Sequence, residues 1–327
     1  MNLLRNLRKK SDSLTTFNDI SKKKVVPKAS SKILQFYSAN RNIGNYTPVL
    51  GIQEMLGAKL DTWNIHRTPI DWDFVHKNYE SVIVGGAGLL HRVFEDFWID
   101  LEKNCRLPIV IWGIGVCLPT HEVMGGVSKK VVREVFSRAI LANVRDELTR
   151  DHYDLDSSTS ITICPTIAYI SRAYEVKVSQ VNRGAGELKK ILHSHHINLE
   201  PGDLTPRIKE LVQNNGWLYT FTDNVESEEN LLDFILQKYP RNDAVVTTRL
   251  HGAIIAYSFR RPYFALSFDP KIDAFVKLYG GGTLASSMEE LQEHMESFSA
   301  PKVSNYEVEL AKVHKFGELA RQTLCDR

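Results

Sequence analysis

Apolar residues along this chain alternate between two rhythms. Short β-branched runs at Lys32–Ser38 (KILQFYS), Ser81–Gly86 (SVIVGG) and Leu107–Gly115 (LPIVIWGIG) read as strands covered on both faces. Between them, Tyr46–Leu60, Arg92–Asn104 and Ser128–Ile140 place their apolar residues at helical spacing. Ala142–Asp146 reads as a short strand and Ser160–Ile170 as another. A second series follows: a strand at Glu175–Asn182, helices around Ala185–Ser194 and at Pro206–Gly216, a strand at Trp217–Thr222 and a helix at Glu226–Tyr239. Helices at Ser287–Glu296 and Ser304–Leu324 close the chain. Strands alternating with helices predict parallel sheets with right-handed crossovers. The expected architecture is α/β, with two Rossmann-like domains over 32–170 and 171–295 facing each other across a cleft. A C-terminal helix within 296–327 is expected to pack back on the first domain.

The most informative stretch is Asp243–Lys271, DAVVTTRLHGAIIAYSFRRPYFALSFDPK. Ala244–Thr248 predicts a buried strand, Ala253–Ser258 a helix ended by Pro262, and Tyr263–Phe268 the next strand. That βαβ unit places Arg249 and His251 at the carboxyl end of its first strand, the edge where open α/β sheets bind ligands. A helix starting near Gly252 directs free N–H groups and a positive dipole end toward this edge. Gly252 would let a ligand approach the backbone. Arg249 adds a planar fork for carboxylate or phosphate, and His251 a proton carrier for neutral pH. These features describe a pocket for a small phosphorylated anion, set against the plainer reading of an Arg–acid pair and a capping His.

A length of 327 residues suits two domains better than one core. The net charge of +2 gives no case for nucleic acid. Its distribution is uneven: residues 1–32 hold nine Lys/Arg and two Asp/Glu. Residues 1–31 therefore read as a flexible basic arm, dispensable for folding, with weak affinity for an anionic membrane surface. No run is long enough to span a membrane and no apolar core of a secretory signal follows the N-terminus. Cys105, Cys117, Cys164 and Cys325 form no C-x-x-C, so a reduced compartment fits, and neither a zinc site nor a disulfide framework is expected.

Other features weigh less. Val84–Leu90 (VGGAGLL) and Trp112–Val116 (WGIGV) follow strands but lack the G-x-G-x-x-G spacing, so no nicotinamide cofactor is expected. They read either as tight turns or as places where backbone approaches a ligand. His193–His196 (HSHH) has no carboxylate or cysteine pattern around it and reads as an exposed helix end. Glu289 and Glu290 could hold a nucleotide ribose.

With these residues on the page, the chain resembles the polysaccharide pyruvyl transferase family from about residue 33 to 281. TTRLHGAIIAYSFRRPYFALSFDPK resembles the family's Arg-Leu-His-Gly block with its following helix, Pro and Asp-x-Lys. NVRDELT (Asn143–Thr149) is similar to its Val-Arg-Asp segment, and VGGAGLL and WGIGV to its two glycine loops. NRNIGNYTPVL resembles its Asn-x-Gly-Asp segment, with Asn45 in place of the usual Asp, which removes a charge.

The resemblance implies a glycosyltransferase-B-like fold and transfer of a pyruvyl group from phosphoenolpyruvate to two hydroxyls of one sugar, with release of phosphate. It implies no organic cofactor and no metal. Arg145, Arg249 and His251 are the implied catalytic residues, and Leu250, Gly252, Asp269 and Lys271 join them in donor binding. Asn42, Gly44, Asn45, Gly85, Gly86, Gly88, Gly113 and Gly115 would line the acceptor side. Arg145 beside Asp146 also reads as a structural ion pair, and Asp269–Lys271 as a loop salt bridge. Expected partners are phosphoenolpyruvate and a sugar acceptor, lipid-linked or free, in the cytoplasm or at the inner face of its membrane. A sugar-nucleotide-dependent glycosyltransferase and a non-catalytic binder of the same fold remain open.

Overall fold

A computed structural model describes residues 17–22, 28–38, 41–117, 125–176, 189–196, 200–297 and 303–325. The chain divides into two compact units, Met1–Tyr169 with Glu309–Arg327, and Ile170–Val308. In the first, β1 (Asn18–Asp19), β2 (Ile33–Tyr37), α1 (Thr47–Leu56), β3 (Asp61–Asn64), α2 (Trp72–Asn78), β4 (Ser81–Leu90), α3 (Glu95–Asn104) and β5 (Ile109–Val116) follow one another. Then come α4 (Lys129–Arg138), β6 (Ala139–Val144), α5 (Glu147–His152), β7 (Ser160–Ile161) and α6 (Thr166–Ala173). The second unit holds β8 (Lys190–Ser194), α7 (Leu204–Asn214), β9 (Leu218–Thr222), α8 (Leu232–Lys238), β10 (Ala244–Thr247), α9 (Leu250–Ser258) and β11 (Tyr263–Leu266). It continues through α10 (Pro270–Tyr279), β12 (Gly282–Ala285) and α11 (Met288–Ser297). The last helix, α12 (Tyr306–Cys325), starts in the second unit and belongs to the first from Glu309 onward. Its Phe316 ring lies 5.1 Å from Trp112 of β5, in a cluster with Ile52 and Val110.

Both sheets are parallel in every described pairing, as the alternating pattern predicted. The first has the order β1-β3-β2-β4-β5-β6-β7, and the second β12-β11-β10-β8-β9. The carboxyl ends of β2 and β4, and of β8 and β10, are therefore the switch points at which successive connections leave in opposite directions. Ligands of open α/β sheets bind at such points because the diverging loops leave a crevice there.

The basic arm is overturned in part. Phe17–Lys22 and Lys28–Ser31 lie within the first unit; residues 1–16 and 23–27 lie outside the described residues. Asn18 and Asp19 pair with Asp61 and Thr62, Ile20 is buried, and the Phe17 ring lies 5.1 Å from Tyr37. The sequence hid this because one short strand and a single isoleucine make no periodic signal.

Three other expectations fail for local reasons. The strand expected over Ser160–Ile170 ends at Ile161, and Pro165 bars its resumption before Thr166 opens a helix. Gly57, left-handed at φ 66°, stops α1 short of Leu60. Lys190–Ser194 is a buried strand rather than the end of a helix; the strand expected at Glu175–Asn182 lies mostly outside the described residues.

Candidate functional site

The two glycine segments are spent on packing. Both lie inside strands: β4 runs through Gly85, Gly86 and Gly88, and β5 through Gly113 and Gly115. A Cβ on Gly85 would stand 2.2 Å from the Trp112 carbonyl oxygen, and one on Gly86 2.5 Å from Pro48. One on Gly88 would stand 2.5 Å from the Cys117 sulfur. Gly113, at φ +63°, admits Pro165, and Gly115 leaves room for the Arg145 guanidinium. That guanidinium is buried at the end of β6. Its Nε donates to Asp146 Oδ2 at 3.1 Å and its Nη2 to the Val116 carbonyl at 3.1 Å. Burial is the largest influence and opposes the charge, but Asp146, Cys117 and Cys164 together raise the Arg145 pKa. Asp146 also caps α5 by accepting from the Thr149 N–H. The plainer reading of Arg145, a structural ion pair, is thus present in the fold.

At the β2/β4 switch point, Asn42 accepts from the Gly44 N–H at 3.0 Å and caps the 3-10 turn Ile43–Asn45. Asn45 Nδ2 lies 3.5 Å from Ser38 Oγ.

The second unit gathers the charged groups. Its switch point joins the ends of β8 and β10, bringing His195 and His196 beside Thr248 and Arg249. Arg249 is the N-cap residue of α9, and Thr247 Oγ1 accepts its backbone N–H at 3.0 Å. Its Nη1 donates to the backbone carbonyls of Asp223 and, at 3.4 Å, His195. Burial lowers the Arg249 pKa. Leu250 and His251 are buried in the first turn. Gly252 serves helix-to-sheet contact: a Cβ there would meet Thr247 Oγ1 at 2.1 Å and Ser194 Oγ at 2.6 Å. Beneath the motif Asn224, Tyr239 and Ser194 form a buried hydrogen-bonded triangle.

At the end of β11, Asp269 caps α10 through the Lys271 N–H and pairs with Lys271 Nζ at 2.5 Å. The expected loop salt bridge exists, and it stands at the same edge as Arg249. His196 senses all three residues. Burial, then Arg249 and Lys271, hold its imidazole down to about 4, with Asp269 opposing. The edge is therefore cationic with a neutral imidazole inside it, an arrangement suited to a multiply charged anion.

The HSHH segment is the largest correction. His193 is fully buried, with Nδ1 2.9 Å from the Tyr219 hydroxyl and Nε2 3.3 Å from Glu200 Oε2. Lys-Ile-Leu before it extends the helical spacing of the preceding residues, which disguised a strand. What could have exposed it is position: a polar run after an apolar one, as at Thr248–His251. Among the described residues no three His, Cys, Asp or Glu side chains are arranged to hold a metal ion. No described helix is long and apolar enough to cross a membrane. Glu290 accepts from Ser286 N at 2.7 Å and Oγ at 2.8 Å, a capping duty at α11, while Glu289 faces Arg207 at 3.7 Å.

The buried histidines predict acid lability. Burial alone holds His66 at about 4, the value His196 also has. On unfolding each returns to 6.5 and takes up a proton that the native imidazole refuses between pH 6.5 and 4. Stability should therefore fall as pH drops through that window. Glu200 adds a further loss below its ordinary 4.5: burial would raise it, but His193, Thr205 and Thr248 hold it at about 2. Denaturant midpoints from pH 7.5 to 4 check this. The H66Q/H196Q double variant should show a shallower slope, and a parent stability independent of pH would refute it.

Comparison with known proteins follows the same lines. A family model for polysaccharide pyruvyl transferases matches residues 18–270, beginning at the strand the arm conceals. A search by sequence finds no match among curated proteins. Among solved structures, the fold is similar to that of S. aureus MnaA bound to UDP, with TM-score 0.54 and 11% identity over 87% of this chain and 91% of that one. It is also similar to the UDP-GlcNAc 2-epimerase of Neisseria meningitidis, with TM-score 0.51 and 12% identity over 90% and 99%. These identities speak for the fold alone: two Rossmann-like parallel sheets with helices. The family match covers most of the chain and includes the strand–turn–helix that carries Arg249 and His251, so the chain belongs to the polysaccharide pyruvyl transferase family.

Proposed function

We propose that this protein transfers the pyruvyl group of phosphoenolpyruvate to two hydroxyls of a sugar in a polysaccharide or its lipid-linked precursor, forming a cyclic ketal and releasing phosphate. The observation that carries the reading is the convergence of Arg249, Lys271, His196 and the α9 N-terminus on one sheet edge. Phosphoenolpyruvate bears a phosphate and a carboxylate, and such a site offers a bidentate fork, an ammonium and backbone N–H groups to them.

In this mechanism His251 protonates the donor methylene, leaving an oxocarbenium-like centre beside the carboxylate. One sugar hydroxyl attacks that centre. Phosphate departs with its C–O electron pair, drawn toward Arg249 and Lys271, and the second hydroxyl closes the ring. The cations act on the leaving group and not on the electrophilic carbon, so they assist departure without opposing the developing positive charge.

Thermal melting with ligands tests the donor. Phosphoenolpyruvate at saturating concentration should raise the melting temperature, because a ligand that binds only the native state stabilises it by mass action. UDP- and GDP-sugars should do so much less, since Glu290 is committed to its cap. A larger stabilisation by a sugar nucleotide would favour a glycosyltransferase and overturn the reading.

A further inference from the structure

The HSHH segment carries more than its share of the donor site. Glu200 is a buried carboxylate with two hydroxyls on it, Thr248 at 2.6 Å on Oε2 and Thr205 at 2.5 Å on Oε1. Each of its oxygens also faces an imidazole: Oε2 lies 3.3 Å from His193 Nε2 and Oε1 3.6 Å from His195 Nδ1. His193 has no free edge, because Tyr219 occupies its other nitrogen and its ring is fully buried. His195 differs. Its side chain is 21% exposed although Nδ1 is buried, so the exposed part of the ring is the side turned away from Glu200. Its own carbonyl accepts from Arg249 Nη1, which fixes the residue against the donor motif. Phe221 of β9 supports the ring at 5.0 Å.

We propose that His195 takes the proton from the attacking sugar hydroxyl, and that Glu200 is the residue that positions it. The inference rests on the pyruvyl-transfer reading and names a base for it. The pattern is a general one: the charge of a buried carboxylate facing one ring nitrogen stabilises the imidazolium that forms when the other nitrogen receives a proton. The balance closes. The hydroxyl O–H bond breaks, its pair forms the C–O bond to the ketal carbon, and the proton passes to His195 Nε2. Phosphate leaves with its own C–O pair and carries that proton away. The second hydroxyl returns a proton to His251, which gave one to the methylene. The charged and titratable groups around His195 are Glu200, its chain neighbours His193 and His196, and Arg249 at its carbonyl, whose Nη1 Asp223 shares through its own carbonyl. Tyr219 acts through His193.

The test uses the full chain, phosphoenolpyruvate and an acceptor identified by screening, with phosphate release as readout. His195→Ala should lose roughly 10²-fold in kcat, with donor KM changed less than about threefold and turnover partly restored by added imidazole. A merely structural residue would not give that rescue. Glu200→Gln should lower kcat on the order of tenfold and leave donor KM intact. Parent-like turnover in His195→Ala, or a loss that imidazole does not restore and that appears in donor KM, overturns the proposal. If the parent protein releases no phosphate with any acceptor, the pyruvyl reading itself fails. The imidazole resonances of His195 titrated with inorganic phosphate then decide whether the residue belongs to the anion site. A shift keeps it there, and no shift overturns that too.

Discussion

Arg249→Lys is expected to lose most of its turnover and to bind phosphoenolpyruvate more weakly, by about 2 kcal/mol or more for a partly desolvated charged contact. The charge survives the change but the fork does not. A lysine can neither reach the Asp223 and His195 carbonyls in the geometry that Nη1 holds nor offer two parallel donors to an oxyanion. The companion variant, His251→Gln, keeps a hydrogen-bonding group of similar size and loses the proton. Its kcat should fall by roughly 10²-fold with donor affinity little changed. Affinity and turnover falling together would reassign His251 to phosphate binding. Steady-state kinetics and donor binding by calorimetry separate these cases. Near-normal turnover in both variants, with folding intact, would remove the Arg-Leu-His-Gly motif from the active site.

Deleting residues 1–30 should destabilise the protein on the order of 3 kcal/mol. The reason is Asp61, a fully buried carboxyl on β3. Its oxygens are met by the side chains of Asn18 and Ser30 and by the Ser30 N–H at 2.7 Å, with Ser31 N–H at 3.3 Å and the Tyr79 hydroxyl at 3.0 Å beyond the deletion. Burial, then Asp61, push the Tyr79 phenol up, so it remains a donor. The deletion also strips Asp19 from the Tyr37 hydroxyl and Ile20 from the core. A chain beginning at residue 17 keeps each of these contacts and serves as the control. Thermal and urea unfolding of both chains would decide; a 1–30 deletion that melts with the parent would show that Asp61 is satisfied without them.

Local pattern made much of this protein legible. The β-branched runs at Ile33–Tyr37, Ile109–Val116 and Ala244–Thr247 are strands because such residues fill a sheet covered on both faces. Arg249 and His251 stand at a sheet edge because a buried strand followed at once by a helix leaves its turn nowhere else to go. Two parallel α/β units followed from that alternation.

Strand order, by contrast, depends on contacts between residues far apart in the chain, and no short-range period records it. That β10 lies beside β8, and not beside β9 that precedes it, is what brings His195 and His196 to Arg249. The same long-range pairing joins Asn18 to Asp61 and spends Gly113 and Gly115 on Pro165 and Arg145. The sequence by itself determined the fold class and the place of the Arg-Leu-His-Gly motif at a sheet edge, since both follow from local periodicity and from a few residues close together. Only the tertiary structure decided which histidines join that motif, what surrounds Glu200 and where the N-terminal segment goes, because each is settled by burial between segments that meet only when the sheets are assembled.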